Sequence, residues 1–108
     1  MANYLLIESR DPYETAPGSL SYDLAVGLSK AGNTVAMFLV QNGVFAARSG
    51  AKSGLLAQVA NAGVEVLADE FSLRERGIAK TRVLPQVRPA SLDVVVDRMA
   101  AGHKMIWN

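Results

Sequence analysis

Cysteine is absent from all 108 residues. That absence excludes disulfides, thiolate metal sites and any thiol or persulfide carried on this chain. Long hydrophobic runs are missing too. The longest purely apolar stretch runs from Val35 to Val40, far short of the roughly 20 residues that cross a bilayer. The amino terminus has no basic region before an apolar stretch, so the expectation is a cytoplasmic protein with no membrane partner. Charge of one sign is also lacking. Eleven Lys and Arg stand against ten Asp and Glu, a net charge of +1, and no global field draws in nucleic acid. Neither Gly-x-Gly-x-x-Gly nor Gly-x4-Gly-Lys-Ser/Thr occurs, so backbone cradles for dinucleotides or nucleoside phosphates have no support. No cofactor and no metal is expected.

What is present fits one folded unit, residues 1–108. The length suits a single core, and 50% apolar residues with 19% charged supply the side chains to fill it without a covalent staple.

Tyr4 to Glu8 reads as a buried strand, followed by a Pro- and Gly-containing loop from about Ser9 to Gly18. Ser19 is placed to cap a helix whose apolar face is Leu20, Leu24, Ala25, Leu28 and Ala31, with Lys30 in the last turn and Gly32 beyond it. Thr34 to Val40 lacks alternation, which suits a strand covered on both faces. Gln41-Asn42-Gly43 ends it, before a short helical turn over Val44 to Arg48. Leu55, Leu56, Val59 and Ala62 share a helical face that Gly63 closes. Val64 to Ala68 is a third strand, and a short helix follows to Gly77. From Ile78 to Pro89 the expectation is mostly loop, with a brief strand near Val87 and Arg88. Leu92, Val95, Val96 and Met99 mark the apolar face of a last helix, and Lys104 to Trp107 form the last strand.

Alternating strands and helices need crossovers, which impose parallel strands with helices on both faces. The fold class expected is α/β: a three-layer α/β/α sandwich around a mainly parallel five-stranded sheet, flavodoxin-like. Ligands in such sheets collect beyond the carboxyl ends of the strands. With a 2-1-3 strand order, the first and third strands are neighbours. Asp11, Tyr13 and Asp69 then face one crevice, with Asn42 beside them.

Asp69 has two readings. In one it is a helix N-cap that accepts from free backbone N–H groups, with Glu70 in the first turn and Arg74 and Arg76 at the far end. In the other, Asp69 or Glu70 is a general base or an anchor for a cationic ligand. An oxygen-ligand metal site from Asp11, Asp69 and Glu70 is a weaker possibility. The only histidine, His103, precedes the last strand and so lies at the opposite edge, which leaves a Ser-His-Asp arrangement without its base. Arg10 and Arg48 are candidate anion ligands, but isolated loop arginines are usually solvated. Met37, Phe38, Phe45 and Phe71 read as core or interface.

The stretches DPYET, SLSYDLAVGLSKAGNTVAMFLVQNGVFAA and GVEVLADEFSLRERGI together resemble the DsrE/DsrF/TusD group of small sulfur-relay proteins, over nearly the whole chain. The resemblance implies a DsrE-like layered fold, a cytoplasmic location and trimers or hexamers, sometimes with related subunits. In that group a cysteine carrying persulfide sulfur commonly follows the third strand. A short helix ending in Arg-Gly comes next, as at Arg76-Gly77 here. Counting back from that pair, the cysteine's place falls on Asp69. A carboxylate forms no stable persulfide, so sulfur transfer through this position is chemically excluded.

Three functional classes follow. The first is a non-catalytic assembly or docking subunit of a sulfur-transfer or sulfur-oxidation system, paired with itself, with related subunits or with a small sulfur-carrier protein. The second is a small-molecule binding module using Asp69, Glu70, Asp11, Tyr13 and Asn42. The third, a carboxylate acid–base enzyme, has only Asp69 and Glu70 as its pair, so the sequence leans against catalysis.

Overall fold

Five runs of residues pair into one parallel sheet in the computed structural model, which describes residues 1–11, 20–49 and 54–107. The strands are β1 (Asn3–Glu8), β2 (Thr34–Leu39), β3 (Glu65–Asp69), β4 (Val87–Ala90) and β5 (Lys104–Trp107). The helices are α1 (Leu20–Lys30), α2 (Leu55–Asn61), α3 (Glu70–Glu75) and α4 (Asp93–Ala100), with 3-10 turns over Gln41–Ala47 and Lys80–Arg82. The expected α/β/α sandwich is therefore present. Most elements begin and end within a residue or two of their sequence signals, and Gly32, Gly63, Gly77 and Gly102 close the four helices at positive φ. The expected loop from Ser9 to Gly18, with Tyr13, and the Ser19 cap lie largely outside the described residues.

The strand order differs from expectation. It is β4-β3-β2-β1-β5, so β2 lies between β1 and β3. Leu5 and Leu6 pair with Ala36 and Met37, and Met37 and Phe38 pair with Val66 and Leu67. The 2-1-3 order fails because β1 finds its second neighbour in β5, through Tyr4 to Ile7 against Lys104 to Trp107.

Period-two alternation divides the core. Leu6, Val35, Met37, Leu39, Val66 and Ala68 face one side, against Tyr22 and Ala25 of α1, Leu56 and Val59 of α2, and Leu73 of α3. Leu5, Ile7, Ala36, Phe38 and Leu67 face the other with Val40 and Ala90, where half-buried Val94 and Val95 of α4 and Met105 of β5 pack on them. The first three crossovers thus share one face and the fourth takes the other, so the chain reverses after β4 and crosses back to place β5 beside β1.

Two helix faces differ from their sequence reading. In α1 the core contact is Tyr22, 1% exposed, while Leu24 is 42% exposed. In α4 the expected apolar face is mostly turned outward: Leu92, Val96 and Met99 are exposed. Three consecutive valines make α4 apolar on two sides, and the sheet takes Val94 and Val95.

Candidate functional site

The parallel sheet puts all five carboxyl ends along one edge, and that edge holds a cavity of about 410 Å³. Ser9 follows β1, Val40 to Asn42 follow β2, Asp69 ends β3, Leu92 follows β4, and Trp107 ends β5. Phe71, Ser72, Glu75 and Arg76 of the α3 segment complete the wall. The position obeys the rule for open parallel sheets: it lies beyond the carboxyl ends, and Ser9 and Trp107 bring to it the ends of β1 and β5, between which the strand order reverses.

Asp69 is the most constrained group there. It is the N-cap of α3, with extended φ and ψ, and is 3% exposed. Its Oδ2 accepts from the Ser72 backbone N–H at 3.0 Å and from Ser72 Oγ at 2.6 Å. Ser72 Oγ in turn accepts from the Gln41 N–H at 2.9 Å. Gln41 has φ of 51°, the one positive value at a non-glycine among the described residues. A left-handed residue costs about 1 kcal/mol, and here it aims an amide at Ser72. The chain Gln41–Ser72–Asp69 ties the end of β2 to the end of β3. Both bonds to Asp69 end on Oδ2, and Oδ1 has no hydrogen bond among the described residues.

A second close approach sets the floor of this edge. A Cβ on Gly43 would lie 2.3 Å from the Glu8 carbonyl oxygen, so only glycine lets the 3-10 turn settle on the end of β1. Glu8 is itself fully buried. Its carboxylate accepts from Ser21 Oγ and, at 2.9 Å, from the Arg10 backbone N–H.

Of the five site residues named from sequence, four lie among the described residues. Asn42 and Asp69 line the same cavity. Glu70 does not; it lines an adjoining hollow of about 270 Å³ with Asp69, Phe71, Arg74, Ser91 and Leu92, and pairs with Lys80 at 3.5 Å. Asp11 is buried and is not among the residues lining the larger cavity. The shared crevice argued for Asp11 and Asp69 depended on β1 and β3 being neighbours, and β2 separates them. Tyr13 lies outside the described residues. No cluster of three His, Asp or Glu able to hold a metal occurs among the described residues.

Sequence reasoning missed Ser72, Arg76 and Trp107 as members of the cavity, and Glu8 as a buried acid. Ser72 carried a usable signal, because an Asp followed three residues later by a hydroxyl allows both cap and side-chain bonds. Arg76 donates from Nε to Asn42 Oδ1 at 3.1 Å and from Nη1 to the Ser72 carbonyl at 3.4 Å, a link across 34 residues that no local pattern encodes.

A match to the DsrE/DsrF-like family covers residues 2–107. The chain belongs to the DsrE/DsrF-like family. Among solved structures, this DsrE-like chain is similar to the YchN protein of Escherichia coli, with 20% identity, a TM-score of 0.89 and 100% of both chains covered. Similar too is MTH1491 of Methanobacterium thermoautotrophicum, a protein of unknown function, at 18% identity and a TM-score of 0.87, again over 100% of both chains. BT1422 of Bacteroides thetaiotaomicron, a conserved protein of unknown function, matches at 12% identity and 0.79, over 97% of this chain and 93% of its own. At these identities the similarity speaks for the fold. No curated protein gives a significant match. This family member has no cysteine, and no helix among its described residues is long and apolar enough to cross a membrane.

Proposed function

We propose that this DsrE-like protein is a cysteine-less, non-catalytic subunit of a cytoplasmic sulfur-relay assembly, contributing surface and scaffold while another chain carries the sulfur. The observation behind this reading is the state of Asp69. The group at the position expected for a sulfur-carrying thiol is an oxygen acid, held by two bonds from Ser72. It caps α3 and has no thiol chemistry to offer.

Assembly is supported by the outward face of α4. Leu92, Val96 and Met99 are exposed there, and Phe71 and Trp107 are 56% and 72% exposed. Exposed large apolar side chains in such number mark an interaction surface. The expected occupant is a second copy of this chain or a related subunit, giving a trimer or hexamer, with a small sulfur-carrier protein as a further partner. Light scattering after size exclusion should give a multiple of the monomer mass at micromolar concentration, and Val96→Asp should return it to monomer. A wild-type monomer would refute the assembly, and labelled sulfane sulfur retained on the purified chain would refute the non-catalytic role.

The cavity of about 410 Å³ favours a second reading, a small-molecule site for a polar ligand held by Asp69 and Asn42. A metabolite that raises the melting temperature of wild type, but not of Asn42→Ala, would support it.

A further inference from the structure

Arginine is the side chain that the fold gathers without a counter-charge among the described residues. Beside the larger cavity lies a second concavity of about 220 Å³, lined by Phe45, Arg48, Ser49, Arg76, Ile78 and Arg82, among others, and by no carboxylate among the described residues. Its three arginines come from three separate segments. Arg48 leaves the first 3-10 turn in extended conformation and forms an antiparallel bridge with Val83. The Ser49 N–H donates to the Arg82 carbonyl, and the Leu84 N–H donates to the Ala47 carbonyl at 2.8 Å. That pairing sets residue 48 opposite residue 83 and residue 49 opposite residue 82, so the two arginine-bearing segments run side by side. Arg76, the C-cap of α3, arrives from the third side.

Two of the guanidiniums are braced on one ring. The Cζ of Arg48 lies 4.9 Å from the Phe45 centroid and that of Arg76 lies 5.9 Å from it. Arg48 Nε donates to the Phe45 carbonyl at 3.0 Å, and Arg76 is tied by Nε and Nη1 to Asn42 and Ser72. Both Nη groups of Arg48 and Nη2 of Arg76 keep no hydrogen-bond partner among the described residues, and neither does the Arg82 side chain. The ion pairs of the described residues join Glu70 to Lys80 and Glu65 to Arg88 and Arg98; none reaches these three arginines.

A guanidinium cannot shed its proton to relieve repulsion. Three of them around one hollow therefore repel one another until an anion enters, and the two that are braced lose little side-chain freedom when it does. One arginine fork suffices for a carboxylate, whereas three forks around a hollow suit a doubly charged oxyanion with oxygens in several directions. We propose that this concavity binds a tetrahedral oxyanion of the phosphate or sulfate type, either as a free ion or as the head group of a larger molecule. Arg76 lines both concavities, so the body of such a molecule has the larger cavity beside it. The proposal stands apart from the assembly reading and survives if that reading fails.

Titration calorimetry of the full chain with inorganic phosphate, sulfate and phenyl phosphate, at constant ionic strength set with chloride, tests it. Saturable one-site binding of phosphate or sulfate is expected. Arg82→Gln and Arg48→Gln should each weaken it by about tenfold or more, the loss of one charge-assisted contact. Arg82 has no side-chain partner among the described residues, and its removal relieves repulsion, so Arg82→Gln should not lower the melting temperature without added anion, which separates binding from folding. Phenyl phosphate binding about tenfold tighter than phosphate identifies a head group; equal binding identifies the free ion, and both support the site. No saturable binding of any of the three, or binding indifferent to both substitutions, overturns it.

Discussion

The two faces of the sheet are built from the same strands yet covered very differently. On one face α1, α2 and α3 deliver buried side chains such as Tyr22, Leu56, Val59 and Leu73 onto Met37, Leu39 and Val66. On the other, α4 is a single eight-residue helix that buries none of its residues and touches the sheet through half-buried Val94 and Val95. The first face is where folding free energy is gathered, because burial of apolar area sets that term. The second retains apolar area still to be covered, which is what an interface supplies.

That contrast predicts its own sharpest break. Leu56→Ala, at a side chain 2% exposed, should destabilise the monomer by about 2–5 kcal/mol. Val96→Ala, at a side chain 66% exposed, should change monomer stability by about 0.5 kcal/mol or less while weakening self-association. Urea unfolding at a protein concentration low enough to dissociate any oligomer separates the two effects. Equal losses at both sites would mean that α4 carries core, and that the faces are not different in kind.

The carboxyl edge joins the two faces, and its tolerances are tight. Gly43→Ala forces a Cβ into the Glu8 carbonyl at 2.3 Å, and backbone cannot yield as a flexible side chain does. A loss of about 1–3 kcal/mol is expected, measured by the same unfolding experiment. Ser72→Ala removes the acceptor for the Gln41 N–H and one donor to Asp69. It should cost about 1–2 kcal/mol, the range for stranding a buried polar group. Relaxation of Gln41 out of its left-handed conformation would show as a changed amide shift in NMR spectra. If that shift stays put, the strain is held by something other than Ser72.

How far the sequence could be read follows the same division. Strands β1 to β3 were legible because a parallel strand covered on both sides is a plain apolar run, and the helix ends because glycines at positive φ stop them. The strand order was not legible. Which strand β1 chooses as its second neighbour is decided by long-range packing, and Lys104 to Trp107 carries no mark of where it docks. At α4 the periodicity named the apolar residues but not their direction, since Val94-Val95-Val96 offers two apolar sides to one sheet. Asp69 showed its cap role in local grammar, whereas the arginine cluster depends on the bridge between Arg48 and Val83, two residues that no spacing rule connects.

A small and local effect concerns what holds α4 in place. Glu65, at the start of β3, receives Arg98 of α4 at 2.8 Å and Arg88 of β4 at 3.0 Å. The Arg98 hydrogen bond, opposed by partial burial and reinforced by Arg88, holds the Glu65 carboxyl below its ordinary value of 4.5. A carboxyl with a lowered folded-state value binds its proton more readily in the unfolded chain. The stability it contributes is therefore complete above the ordinary value and is lost as pH falls through the lowered one. Glu65 is 42% exposed in its side chain, so screening limits the contribution to about 1 kcal/mol or less. As pH falls below the ordinary 4.5 and through the lowered value, wild type should lose that increment and Glu65→Gln should not. Because α4 has so little buried contact, the loss should be local. Amide exchange should quicken in α4 and β5 before it does in α1, and simultaneous quickening on both faces would mean that the ion pair secures the whole sheet.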